Sequence, residues 1–304
     1  MRITIVGPGA VGLLWASHLA LAGATVTILD HRPERAALLT AEGIRLEDPQ
    51  GETHLTLPAS ADPQEARARA DLALICVKAY HTQGVAQTLA SHLPAAARAL
   101  TLQNGAGNVE ALVAALGPGR VLGGITSEGA TLLGPGRVRH TGRGQTHLGP
   151  ALGQPDAFCA ELAGLFDRAG FACQVVEGVQ NLIWTKLIIN VGINALTAIL
   201  GVPNGRLLEL PAAKALMVKA VDEAMAVGQA LGVAFLHANM QEAVMARRTA
   251  HNISSMLQDT RAKRRTEVEF INGYVAAAGQ GLGLACPVNQ TLARLVLALE
   301  QNQG

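Results

Sequence analysis

The feature that most constrains this chain lies near its N-terminus. Gly7-Pro8-Gly9-Ala10-Val11-Gly12 follows directly on the apolar run Ile3 to Val6 and precedes a helical pattern from Ala10 to Ala22. Few folds place three such glycines between a strand and a helix. Gly7 permits the tight turn, Gly9 keeps a β-carbon out of the path of a phosphate, and Gly12 lets the helix lie close on the strand. The helix end then offers unpaired N–H groups and a positive dipole. In this context the GxGxxG pattern marks a dinucleotide-binding turn, with all six residues, Gly7 to Gly12, as expected cofactor contacts.

The rest of the first half repeats the theme. Thr25 to Leu29, Leu72 to Val77, Ala99 to Leu102 and Val121 to Ile125 are short apolar or β-branched runs separated by helical stretches. Strands alternating with helices predict βαβ units and a parallel sheet. Arg137 to Thr141 and Gln145 to Leu148, punctuated by glycines, predict a hairpin that extends the sheet at its edge. After about Val176 strand signals stop. Leu182 to Leu200, Pro211 to Leu231, Leu236 to about Ala277 and Val288 to Glu300 carry helical periodicity. The expected architecture is therefore an α/β Rossmann domain over residues 1–176, with a mostly parallel sheet and an antiparallel edge extension, and an all-α domain over residues 177–304.

Composition narrows the partners. Lys plus Arg number 24 against 23 Asp plus Glu, a net charge of +1. That balance argues against nucleic acid and against a polybasic membrane anchor. No apolar run reaches about 18 residues without a polar break, so no membrane span is predicted. The four cysteines, Cys76, Cys159, Cys173 and Cys286, form no CxxC and no metal-ligand spacing, so no metal is expected. Scattered thiols suit a reducing compartment, and the expected location is the cytoplasm. The apolar helices of the second half suit a homodimer interface or their own core equally well.

Asp30 ends the second strand, eighteen residues past Gly12. An acid there bonds ribose hydroxyls and favours NAD. His31, Arg32 and Arg35 follow at once, and cations there accommodate the 2′-phosphate of NADP. Lys78 and Asn104 stand at the carboxyl ends of predicted parallel strands, where ligands bind in such sheets.

The helix around Leu182 to Leu196 is apolar except for Lys186, Asn190 and Asn194. These fall at i, i+4 and i+8, on one face. Three polar groups in line on an otherwise buried helix predict a polar cleft, because burying them without partners costs about 1–3 kcal/mol or more each. A partly desolvated Lys186 suits a general acid. Glu267 is a carboxylate to place near it, and Ser255 a hydroxyl to hold a substrate carboxylate.

In these residues the chain resembles the ketopantoate reductase (2-dehydropantoate 2-reductase) family, nearly end to end. The resemblance rests on Gly7 to Gly12, Val77-Lys78-Ala79, Gln103-Asn104-Gly105, Trp184-Thr185-Lys186-Leu187 with Asn190 and Asn194, and Pro203-Asn204-Gly205. It continues from Asn252 through Ser255 to Asp259, then Thr266-Glu267 and Ile271-Asn272-Gly273. The resemblance implies NADPH-dependent reduction of ketopantoate to (R)-pantoate, a step toward coenzyme A. It makes Lys186 the proton donor, with Glu267 orienting it or contacting the cofactor. Asn190, Asn194, Asn204 and Ser255 then hold substrate, Asn104 touches substrate and cofactor, and Lys78 touches the cofactor. Where the family carries an arginine for the 2′-phosphate this chain has His31, flanked by Asp30 and Arg32, which leaves NADH open beside NADPH. The alternatives are a reductase of another branched 2-keto acid and a non-catalytic NAD(P) sensor.

Overall fold

A computed structural model of the chain describes residues 1–64, 70–237, 239–246 and 252–302. It forms two compact units, one of Met1–Gln103 with Asn108–Val179, the other of Asn104–Gly107 with the chain from Gln180 onward.

The first unit is built on an eight-stranded sheet. Its strands are β1 (Arg2–Val6), β2 (Thr25–Leu29), β5 (Ala59–Ser60), β6 (Leu72–Ile75), β7 (Arg98–Thr101), β8 (Val121–Thr126), β11 (Thr146–Pro150) and β12 (Cys173–Val175), in the order β12-β11-β8-β7-β6-β1-β2-β5. All neighbours run parallel except β11, which pairs antiparallel with β8. The apolar runs of the sequence are thus the central strands, buried on both faces as parallel strands are. Helices α2 (Pro33–Glu42), α3 (Thr82–His92), α4 (Asn108–Leu116) and α5 (Ala157–Arg168) make the connections.

A second, four-stranded sheet has the order β4-β3-β10-β9, from β3 (Ile44–Asp48), β4 (Gly51–Leu55), β9 (Gly129–Gly134) and β10 (Arg137–Gly142). This corrects the expected edge hairpin. β11 does extend the main sheet, but Arg137 to Thr141 leaves it and pairs with β9 and, parallel, with β3. The reason lies in the connection. Gly144 passes so close over Ser127 that a β-carbon there would stand 2.4 Å from the Ser127 β-carbon, and the ladder shifts register between His140 and Gly142. Val138 and His140 point inward, while Arg137 and Arg139 point outward and pair with Glu47 of β3 at 3.2 and 2.7 Å.

Helix α1 (Ala10–Leu21) packs on β1 and β2 on one side and on β3, β9 and β10 on the other. Covered from both sides, it has no polar face: Leu13, Leu14, Trp15, Ala16 and Leu19 are all buried. Trp15 stacks on Phe166 and Phe171, with ring centroids 4.6 and 3.9 Å away. His18 meets Phe171 and His140 edge-on at 5.0 and 5.3 Å. His140 in turn lies 2.5 Å from Glu128, both side chains being buried.

The second unit is helical: α6 (Val179–Leu200), α7 (Pro211–Ala230), α8 (Met240–Ala246), α9 (Ser255–Arg261), α10 (Asn272–Gly281) and α11 (Pro287–Asn302). α6 is long and apolar enough to cross a membrane by length and composition, yet it is the core of this unit, with 83% of its most apolar window buried. A polar network ties four of the helices. Asn272 donates to the Val191 carbonyl (3.2 Å) and to Asn289 Oδ1 (2.9 Å), and Asn289 donates to the Ala220 carbonyl (2.9 Å) and to Glu223 (2.8 Å). Glu223 also accepts from the backbone N–H groups of Val288 and Asn289, both at 2.9 Å, capping α11 with negative charge.

The single helical stretch expected from Leu236 to Ala277 is broken. Ser254 caps α9 through its hydroxyl, which accepts from Leu257 N at 3.1 Å. Lys263, at φ 51°, ends that helix in the left-handed region, and a 3₁₀ turn at Val268–Phe270 leads into α10. Part of the stretch, residues 238 and 247–251, lies outside the described residues.

Burial, and then the neighbouring His140, hold the His18 imidazole below its usual pKa. The unfolded chain takes up a proton there below about pH 6.5 that the folded chain refuses. Stability should therefore fall as pH drops through 6.5 toward the lower folded value. Thermal midpoints read from pH 7.5 to 5.5 should drop less in His18→Met than in the parent; parallel curves would show that His18 is not the group responsible.

Candidate active site

The glycine turn is built as its sequence predicts. Gly7 sits at φ 95°, and a β-carbon on it would meet Val77 Cγ1 at 2.6 Å. A β-carbon on Gly12 would stand 2.1 Å from the Gly7 carbonyl oxygen and 3.2 Å from Cys76 Cβ. Gly9 is the opposite case, since nothing lies within 4 Å of where its β-carbon would be. It also begins α1 without a side-chain cap, and the first helical bond runs from Leu13 N to Gly9 O at 2.9 Å. The N–H groups of Ala10, Val11 and Gly12 precede that bond and are aimed out of the helix end. An open Gly9 before an uncapped, acid-free helix end fits the pyrophosphate of a dinucleotide.

Asp30, at the end of β2, is buried. Its carboxylate accepts from Arg35 Nη2 at 2.7 Å, from Arg35 Nε and from Arg32 N at 3.2 Å, and His31 Nδ1 lies 3.4 Å away. The side chain of His31 is 66% exposed, so the rim beyond Asp30 is His31 and Arg32, whose Nε lies 3.4 Å from His31 Nε2. The His81 ring is 6.0 Å from that of His31.

Lys78 stands just past β6 and begins the 3₁₀ turn Ala79–His81. Beside it, Gln103 commits its whole amide. Nε2 donates to the Val77 carbonyl (2.7 Å) and to Thr82 Oγ1 (2.9 Å), and Oε1 accepts from Thr101 Oγ1 (2.8 Å). Thr82 passes its own proton to Asn108 Oδ1 at 2.8 Å. Burial pushes the Cys76 thiol, next to this edge, up to about 12, so it is no nucleophile.

The other predicted residues, Asn104, Lys186, Asn190, Asn194, Asn204, Ser255 and Glu267, all belong to the second unit. Along α6, buried residues surround half-buried Lys186 and Asn190, while Asn194 is buried. Behind this stripe Gly192 presses on α7 and α8, where a β-carbon would meet Val244 at 2.9 Å, Val221 at 3.1 Å and Met217 at 3.2 Å. One turn on, Thr197 Oγ1 reaches the Asn194 carbonyl at 3.0 Å and Ser254 Oγ at 2.7 Å. Asn204 N donates to the Asn252 carbonyl at 2.9 Å. These bonds gather Asn194, Asn204 and the start of α9, where Ser255 is exposed beside its capping neighbour Ser254. Glu267 is buried at the head of the Val268–Phe270 turn, and the Phe270 carbonyl accepts Ala106 N at 3.0 Å, which fixes the Asn104–Gly107 loop. Two polar atoms in this set are buried with no protein partner: the donor Asn190 Nδ2 and the acceptor Asn204 Oδ1.

Gln103 is not among the residues the sequence singles out, although it stands directly before Asn104, and neither are Thr82, Thr197 and Ser254, short hydroxyls with partners distant in sequence.

A doubly wound sheet with this glycine turn defines a dinucleotide-binding protein of the Rossmann type. The sequence matches the model of the ketopantoate reductase PanE/ApbA over residues 3–153 and that of its C-terminal domain over residues 178–300. The chain belongs to the ketopantoate reductase family. It is 39% identical to a 2-dehydropantoate 2-reductase of Halobacterium salinarum, with 100% of each chain covered. Among solved structures it is similar to a PanE/ApbA family ketopantoate reductase from Ralstonia eutropha, at 34% identity and a TM-score of 0.91, covering 100% of this chain and 99% of that one. It is also similar to a D-mandelate dehydrogenase with NADH and anilino(oxo)acetate, at 25% identity and a TM-score of 0.92, with 100% and 99% covered. Family and glycine turn together indicate a nicotinamide cofactor.

Gly9→Ala separates folding from binding. The backbone at Gly9 (φ −75°) suits alanine and the space is open, so the thermal midpoint should hold or rise. Coenzyme affinity should fall at least about tenfold, since the new methyl enters the phosphate path. Unchanged affinity by calorimetry would mean that no pyrophosphate passes over Gly9.

Proposed function

We propose that the protein is an NADPH-dependent 2-dehydropantoate 2-reductase, reducing ketopantoate to (R)-pantoate. Residues 1–176 act as the dinucleotide-binding domain and residues 177–304 as the substrate domain. The observation that carries the reading is the orphaned pair Asn190 Nδ2 and Asn204 Oδ1, a buried donor and a buried acceptor. Each carries a cost of about 1–3 kcal/mol until a ligand supplies its complement. A 2-keto acid bearing a hydroxyl offers both kinds of partner, and the full-length likeness to a 2-dehydropantoate 2-reductase names it.

Gly7 to Gly12 cradle the pyrophosphate, and Lys78 and Asn104 contact the coenzyme. When bound, the dihydronicotinamide supplies a hydride to the ketone carbon. Lys186 holds its ammonium at the ketone oxygen, steadies the negative charge that gathers there, and gives up the proton that completes the hydroxyl. The lysine is then reprotonated from solvent. Glu267 orients that ammonium. Asn190, Asn194, Asn204 and Ser255 hold the substrate carboxylate and hydroxyl by hydrogen bonds, which position it without adding charge.

The state of Asp30 supports NADPH. Its carboxylate is fully buried and already accepts two bonds from Arg35 and one from Arg32 N, so it has less to offer ribose hydroxyls. Exposed His31 and Arg32 remain as the phosphate-facing rim. The likeness to a D-mandelate dehydrogenase with NADH supports a second reading, another 2-keto acid with NADH as reductant.

Steady-state oxidation of NADPH and of NADH with ketopantoate tests both readings. A higher kcat/KM with NADPH is expected; turnover only with a phenyl-bearing 2-keto acid and NADH would favour the second. Lys186→Ala should lower kcat by at least about a hundredfold, the usual worth of a positioned acid, with coenzyme affinity within about twofold. Parent-like turnover in that variant would remove Lys186 from the chemistry.

A further inference from the structure

We propose that Gln103 is a positioning residue for coenzyme binding, holding the glycine turn and Lys78 in one register through the carbonyl of Val77. The proposal rests on the reading that this sheet edge holds a nicotinamide dinucleotide.

The edge is assembled from pieces distant in sequence, and Val77 is where they meet. Its side chain and backbone close the space over Gly7, where a β-carbon would stand 2.6 Å from Cγ1 and 3.0 Å from the Val77 nitrogen. Its carbonyl leads directly into Lys78, which begins the Ala79–His81 turn. β6 itself ends at Ile75, so Val77 lies past the last ladder pair, Ile75 with Thr101. The Val77 carbonyl is held instead by a side chain, Gln103 Nε2 at 2.7 Å.

Gln103 is well suited to the task because none of its amide is left to rotate. The Val77 carbonyl can only accept, which fixes which end of the amide is nitrogen, and Thr101 Oγ1 then donates to Oε1 at 2.8 Å. The second N–H goes to Thr82 Oγ1 at 2.9 Å, and the Thr82 proton goes on to Asn108 at 2.8 Å. The chain of donors therefore runs in one direction, Thr101 to Gln103 to Thr82 to Asn108. It ties the end of β7 to the first residues of α3 and α4. An amide locked at both ends transmits position, since no rotamer change can absorb a shift. The rim that reads the ribose, His31 and Arg32, takes no part in this network.

That separation gives the test. Gln103→Met keeps the volume and removes both donors; Thr82→Val removes one acceptor of Gln103 and the donor to Asn108. Dissociation constants for NADPH and for NADH are measured directly by calorimetry, well below the thermal midpoint, so that substrate identity does not enter. Gln103→Met should raise both constants about tenfold and by the same factor, leaving their ratio as in the parent. Thr82→Val should raise both about threefold, and the double variant should match Gln103→Met alone, because the two act through one bond network. A purely structural role would lower the thermal midpoint and leave both constants within twofold of the parent, which would overturn the proposal. So would a change confined to one coenzyme. If Gln103→Met does not fold, Thr82→Val decides by the same criteria. A parent protein that binds neither coenzyme would overturn the dinucleotide reading along with this one, whereas tight binding unaltered in the variants would overturn this one alone.

Discussion

The first unit depends on one close approach. Helix α1 lies so near the sheet that Gly12 leaves a hypothetical β-carbon only 2.1 Å from the Gly7 carbonyl oxygen. No side chain fits there, and the turn cannot relax outward because Gly7 is itself closed in by Val77. This tight seat brings the start of α1 to the carboxyl ends of the strands, where an anion meets the helix dipole. It also explains why the other flank of α1 needs a second sheet. A helix carrying Trp15 and four buried leucines or alanines on the remaining faces exposes too much apolar surface unless β3, β9 and β10 cover it.

The helical unit solves a different problem, that of keeping polar groups inside an apolar core. Asn289 and Glu223 spend their side-chain bonds on a helix end and a carbonyl, and Asn272 gives both amide protons to the Val191 carbonyl and to Asn289 while its Oδ1 keeps no protein partner, so the three act as struts between helices. Asn190 and Asn204 keep an atom without a protein partner.

Much of this was legible in the sequence, for physical reasons that can be named. The glycine turn was readable because all its constraints are local. The stripe Lys186, Asn190, Asn194 was readable because 3.6-residue periodicity sets them in line on a helix with no other polar residue from Leu182 to Leu196 apart from Thr185. Thr185 turns back to the Asn181 carbonyl at 2.7 Å and is accounted for within the helix. The second sheet was not readable. Ile44-Arg45-Leu46-Glu47-Asp48 alternates over one short strand, and its parallel partner β10 lies some ninety residues away, so no local pattern announces the pairing. The state of Asp30 was hidden in the same way, since position and residue type suggested a ribose acceptor, while the arginine that occupies it could be identified only in three dimensions. Gln103 shows the limit most clearly, because its amide bonds Val77, Thr82 and Thr101, three partners on three separate segments.

The seat of Gly192 against Met217, Val221 and Val244 has a consequence for how this family can diversify. The polar stripe and the packing surface are opposite faces of one rigid rod, and Gly192 lies between Asn190 and Asn194 along it. A methyl group gained or lost on α7 or α8 moves the rod and carries the stripe with it, because a close-packed interior transmits small volume changes. Substrate range can therefore drift through substitutions that never touch a ligand, and sequences that share every polar residue can still differ in what they accept.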